Sequence, residues 1–138
     1  MINLEKNNEK LQHNIQVARE HKIVLPTFAQ MKNPDLVPEK IKEGLKKVGL
    51  WDVDPLNLFR ITWHNEPTMQ GGTYGGVNFI EIPSSLSGVK ARIIIMIGKW
   101  FPTGCHKVGA SFGCLAPRLV TGQFDATYHH AVWPSTGN

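Results

Sequence analysis

The feature that most constrains the fold of this chain is an almost continuously apolar run at residues 91–97. Isoleucine is repeated within it, and β-branched residues favour strands because their side chains are stiff at χ1. A strand without polar alternation is typical of a parallel sheet that is covered on both faces. The run therefore predicts a strand buried on both faces of a parallel sheet, and with it the α/β class.

The residues after this run predict the rest of a parallel unit. A loop at residues 98–106 contains proline and glycine, a helix is expected from Lys107 to about Val120, and residues 131–133 predict a last short strand. Strand, loop, helix and strand in this order form a βαβ unit, which needs a parallel sheet. Because ligands bind beyond the carboxyl ends of such strands, the loops at 98–106 and 134–138 are expected on the same side of the sheet.

The first half of the chain is expected to be mainly helical. Apolar residues at helical spacing predict one helix over residues 4–21 and a second over residues 38–48, which Pro38 begins. Alternating apolar and polar residues predict short strands at 59–63 and 77–82.

The glycines between residues 71 and 76 match neither of the phosphate-binding spacings GxGxxG and GxxxxGK[ST]. This stretch is therefore interpreted as a connector or hairpin turn.

Composition excludes several classes of function. The chain has 138 residues with a formal net charge of +4, and its basic residues are scattered, which argues against a nucleic-acid surface. The two cysteines, Cys105 and Cys114, do not form a zinc pattern, and His129-His130 lacks further ligands nearby, so no metal is expected. With a polar start and no long apolar segment, the sequence predicts a cytoplasmic protein without a membrane partner.

Lys107 is the residue with the strongest chemical context. It follows a loop and begins a predicted helix, where backbone N–H groups and the helix dipole lower the cost of deprotonating an ammonium. A loop lysine without further context is usually a solvated surface residue. Its neighbours in sequence therefore decide between the two interpretations.

The stretch Thr103-Gly104-Cys105-His106-Lys107 resembles the Thr-Gly-x-His-Lys segment of tryptophan synthase β. Ser135-Thr136-Gly137-Asn138 resembles the Thr-Ser-Gly-Asn loop that tryptophan synthase β and the cysteine synthases carry a little over thirty residues beyond the lysine. In this sequence, Asn138 lies 31 residues beyond Lys107. In order and spacing, residues 77–138 thus resemble the N-terminal portion of a fold-type II pyridoxal-phosphate-dependent enzyme of the tryptophan synthase β / cysteine synthase-like family.

The resemblance implies pyridoxal 5′-phosphate as cofactor and a role for each matching residue. Lys107 would form the Schiff base and later move the substrate α-proton, and Asn138 would hydrogen-bond the 3′-oxygen of the cofactor. Ser135, Thr136 and Gly137 would bind the substrate carboxylate. His106 either contacts the cofactor phosphate or makes an ordinary structural hydrogen bond, and both interpretations stay open. Cys105 is expected to serve packing, and Cys114 to be a small buried residue of the helix.

The resemblance implies a lyase or β-replacement synthase that acts on an amino acid. Residues 1–76 would then be a helical N-terminal extension, and residues 77–138 the truncated start of the catalytic domain. The family's glycine-rich phosphate loop lies beyond the lysine, so we expect an incomplete enzyme that forms a homo-oligomer or packs against the missing remainder. The alternative is a catalytically incompetent fragment or interaction module from a truncated or split gene.

Overall fold

The computed structural model describes residues 5–65 and 74–134 and combines helices with a small sheet. The chain forms two compact units, one of Met1–Val24 with Gly109–Asn138 and one of Leu25–Val108. The described α-helices and strands are, in chain order, α1 (Asn8–Glu20), α2 (Phe28–Lys32), α3 (Glu39–Leu45), β1 (Phe79–Ile82), α4 (Ser84–Ser87), β2 (Ile93–Met96) and α5 (Lys107–Val120).

The core of the unit Leu25–Val108 is built on Val37, Leu45 and Phe59, which are almost fully buried. Ile41 of α3 packs against this cluster, as expected for the apolar stripe of an amphipathic helix. Helix α2 enters the unit through a capping box, in which Thr27 and Gln30 satisfy each other's backbone N–H groups. The helices predicted over residues 4–21 and 38–48 are observed as α1 and α3, although α3 ends three residues earlier than expected.

The prediction of a strand at residues 59–63 is wrong. Pro55–Arg60 forms a 3-10 helix instead, with Pro55 in its first turn and Asp54 capping the N–H of Leu56. Alternation predicted a half-buried strand, but Arg60 is buried, and its side chain donates to backbone carbonyls at the end of α3 and just beyond it. The polar residues of this segment, Arg60 and Thr62, are therefore buried and do not face solvent. For this reason, the alternation of apolar and polar residues wrongly predicted a strand.

The described sheet has two strands, and they pair antiparallel. Phe79 lies opposite Met96 and Ile82 opposite Ile93, and Arg92 makes a bidentate ion pair with Glu81. The connection covers residues 83–92, which is shorter than the dozen or more residues that a parallel crossover needs. The mixed helix-and-strand class is confirmed, whereas the parallel sheet is not.

Two details of the expected parallel unit differ from the structure. Ile94, Ile95 and Met96 are between 42% and 48% exposed, so the prediction of a strand buried on both faces is wrong for the described structure. Residues 131–133 form no strand. An apolar run indicates a preference for burial but does not supply the neighbouring strands that would bury it.

The unit of Met1–Val24 with Gly109–Asn138 joins α1 to the end of α5 and the segment that follows. The backbone N–H of Asn7 donates to Thr121 O at 2.7 Å, and the Asn14 amide donates to the carbonyls of Leu119 and Phe124. Gly122 ends α5 with a φ of +76°, as its place in the sequence predicts. Cys114 is exposed on α5, which corrects its expected burial.

Over residues 5–65 and 74–134, the structure contains no helix with the length and apolar character needed to cross a membrane.

Candidate functional site

Lys107 is the first residue of α5, as its sequence context predicts. Its side chain is exposed, and among the described residues no ion pair holds it. An exposed amine at the start of a helix is accessible to a small carbonyl compound. The predicted succession of a strand, a loop and a helix that begins with the lysine is present between residues 93 and 120.

The loop before Lys107 has an unusual backbone. Thr103 and Gly104 both adopt positive φ angles, +63° and +68°. Glycine tolerates this region, whereas a threonine there is uncommon and must be held by its surroundings. The N–H of Thr103 donates to Leu50 O at 3.0 Å, and that of Gly104 to Phe101 O at 2.9 Å. These two hydrogen bonds fix the path of the chain into His106 and Lys107.

The His106 ring is placed by two residues that are distant in sequence. It stacks on the indole of Trp63, with ring centroids 5.7 Å apart and planes inclined by 29°. Gly98 lies against it so closely that a Cβ there would stand 3.1 Å from His106 Cβ and 3.3 Å from its Nδ1. His106 nevertheless remains exposed as a residue, so part of the imidazole can meet a ligand.

Trp63 is itself fixed by its neighbours. Its ring meets the buried ring of Phe101 edge-on at 4.9 Å, and its carbonyl accepts from the N–H of Asn78 at 2.9 Å. Asn65, two residues further on, donates to Trp100 O at 3.0 Å and ties this segment to the loop again. Trp63 therefore forms a rigid support under the residue that precedes Lys107.

The other residues expected at the site lie in two places. Cys105 is partly buried beside His106, as a packing role requires, and it is a free thiol. Ser135, Thr136, Gly137 and Asn138 lie outside the described residues. The structure thus places Trp63 and Gly98 against His106, next to Lys107, and the sequence analysis did not assign either residue to the site. No spacing rule links Trp63 to His106; the available signal was a glycine directly after a strand, which often marks a close approach.

The described residues include no group of three or more histidine, cysteine, aspartate or glutamate side chains that could hold a metal ion. His129 is engaged differently, since its Nδ1 accepts the backbone N–H of Asp125 at 3.0 Å.

Comparisons of the chain with protein-family models, with curated proteins and with solved structures gave no match.

Proposed function

We propose that this chain is the N-terminal part of a pyridoxal-phosphate-dependent lyase or β-replacement synthase acting on an amino acid. The observation that carries the proposal is the placement of Lys107 at the first position of α5, directly after the strand and loop of the Thr-Gly-x-His-Lys stretch. The proposal rests on the resemblance of that stretch to tryptophan synthase β and the cysteine synthases. A cytoplasmic location and an oligomeric assembly belong to the same proposal.

The residues present suit the cofactor. A reactive lysine must be reachable by an aldehyde, and the Lys107 side chain is exposed at the end of a loop whose path is held by hydrogen bonds. His106 is a donor next to that lysine and is partly open to solvent. Pyridoxal phosphate, when bound, supplies the electron sink that stabilises negative charge at the substrate α-carbon.

The chain's own residues would hold and protonate the reactants. The ε-amine of Lys107 would hold the cofactor aldehyde and, once released, would move the proton of the substrate α-carbon as a general base within reach of that atom. By resemblance, His106 would donate to the cofactor phosphate and Asn138 to the 3′-oxygen, while Ser135, Thr136 and Gly137 would receive the substrate carboxylate.

The proposal is tested by trapping the lysine. The purified chain is mixed with pyridoxal phosphate, reduced with borohydride and digested, and the pyridoxylated peptides are quantified by mass spectrometry. We expect the label to be concentrated on Lys107. Lys107→Arg should remove it, whereas Lys99→Arg, the matched change in the same loop, should leave it in place. A label spread evenly over surface lysines such as Lys46 and Lys47 would overturn the proposal.

A second candidate function is an interaction module without catalysis. It is favoured by the apolar side chains that β1 and β2 leave exposed, among them Phe79, Ile80 and Ile95. Apolar side chains that a sheet leaves exposed are found at sites of association. Loss of selective labelling at Lys107, with the fold intact by circular dichroism, would favour this second function.

A further inference from the structure

The contact between Trp63 and His106 has no role in the catalytic proposal as it stands. The two rings are stacked at 5.7 Å, and Gly98 approaches the same histidine from its backbone. A histidine that only precedes a helix does not need an aromatic ring packed against it. The three residues therefore restrict the orientation of a side chain that is adjacent to Lys107 and still exposed.

We propose that Trp63 is a positioning residue, which holds the His106 imidazole in the orientation that binds the phosphate group of the cofactor. This inference rests on the proposed function and deepens it, because it identifies how the phosphate-facing histidine is oriented. Trp63 acts through His106 and need not touch the ligand.

The physical reason is preorganisation. An exposed histidine rotates freely about χ1 and χ2, and it loses that freedom when it binds an anion. Immobilising one side chain of this kind costs about 0.5–1.5 kcal/mol, which corresponds to roughly a 2- to 12-fold change in affinity. The stack on Trp63 removes this freedom before binding, and the edge-on contact of Trp63 with Phe101 keeps the support itself in place.

Gly98 completes the arrangement. A Cβ at this position would lie 3.1 Å from the Cβ of His106, which is closer than ordinary van der Waals contact. A side chain at this position would therefore require His106 to shift by a few tenths of an ångström. We expect Gly98→Ala to disturb the stack without removing the indole.

The test uses NMR on the whole chain with 13C-labelled histidine and inorganic phosphate as the probe, at constant ionic strength. The His106 signals are identified by their loss in His106→Gln. Stacking predicts a ring-current shift and a nuclear Overhauser effect between the His106 and Trp63 rings. Phosphate should move the His106 signals more than those of the other five histidines, since the chain has six.

Three variants separate positioning from general stability. Trp63→Met should remove the ring-current shift and weaken phosphate binding roughly 2- to 12-fold. Trp63→Phe keeps an aromatic ring and should restore most of both effects. Trp100→Met, a matched change in the loop that does not remove the stacked indole, should leave both unchanged.

Equal phosphate affinity in the wild type and in folded Trp63→Met would overturn the inference, as would a His106 signal that phosphate does not move in the wild type. If Trp63→Met does not fold, the wild-type measurements decide: the inference requires that the Overhauser contact persists while phosphate is bound. The labelling of Lys107 is scored separately. Failure there with a normal His106 response defeats the catalytic proposal, while normal labelling with an unresponsive His106 defeats only the positioning role.

Discussion

Arg60 shows how a single buried charge can organise the backbone around it. Its guanidinium donates to Leu45 O and Val48 O, each at 2.6 Å, and to the Asn57 side chain at 2.8 Å. Leu45 is the last residue of α3 and Val48 lies just beyond it, so both carbonyls are at the negative end of the helix dipole, which favours a cation. Burial lowers the pKa of Arg60 below its ordinary value. The residue thus satisfies the backbone where α3 ends.

Replacing Arg60 should destabilise the fold. Arg60→Met removes three donated hydrogen bonds in a buried setting, and we expect the free energy of unfolding to fall by about 2 kcal/mol or more. Urea denaturation followed by circular dichroism measures this. Arg92→Met is the matched control, since Arg92 is largely exposed and pairs with Glu81 at the surface, and it should leave the midpoint close to that of the wild type. Equal effects of the two changes would contradict the role given to Arg60.

Tyr74 should make the stability depend on alkaline pH. Burial raises its pKa above the ordinary value, although nearby Arg60 opposes the shift, and its hydroxyl donates to Phe59 O at 2.8 Å. The unfolded chain therefore releases this proton first, near pH 10, while the folded chain retains it. The contribution of Tyr74 is fully present below that pH and is lost as the pH rises further.

The measurement compares urea midpoints of wild type and Tyr74→Phe at pH 8 and pH 11. At pH 8 the variant should be less stable by about 1 kcal/mol, the value of one hydrogen bond. The difference should shrink or reverse at pH 11, since phenylalanine has no proton to release. A constant difference across this range would show that Tyr74 does not titrate as the structure indicates.

At the scale of elements, α5 is the part that sequence reasoning predicted best. The helix begins at Lys107 and ends at Val120, as predicted, and Gly122 follows it with a positive φ. Pro117 lies inside this helix, yet the helix continues through it, and the Thr121 hydroxyl donates to Pro117 O at 2.8 Å. Local capping signals decide where a helix ends, and these are readable from sequence.

Gly122, which follows α5, and Gly113, which lies inside it, should respond in opposite ways to substitution by alanine. Gly122→Ala places a Cβ 2.3 Å from Asn7 O in a left-handed residue, so we expect a loss of about 2 kcal/mol or more. In Gly113→Ala the new Cβ meets nothing within 4 Å inside the helix, and stability should rise by up to about 1 kcal/mol. Thermal unfolding of both variants provides the comparison; a stabilising Gly122→Ala would contradict the described packing of Gly122 on Asn7.

At the scale of the whole molecule, charge limits what the protein binds. The net charge is +4, and lysines of α3 and the residues after it are offset by Glu39 and Glu43, which lie within reach of Lys42 and Lys46. Along the sequence the basic residues are scattered and do not alternate with aromatic residues as a stacking, nucleic-acid-binding face requires.

We therefore expect weak, salt-sensitive binding to nucleic acid. Fluorescence anisotropy with labelled single-stranded and duplex DNA should show no binding in the micromolar range at about 150 mM salt, since few phosphates can be neutralised at once. Binding that persists at this salt concentration and distinguishes between sequences would contradict the prediction.

By itself, the sequence determined the local features of this protein: the helices α1, α3 and α5, the two strands near 77–97, and the lysine at the head of α5. Capping residues, helical spacing and β-branched runs act over a few residues, so they can be read from the chain. The tertiary structure alone decided that the strands pair antiparallel, that residues 55–60 turn helically around a buried arginine, and that Trp63 supports His106. These depend on contacts between different segments of the chain, whose geometry no local pattern encodes.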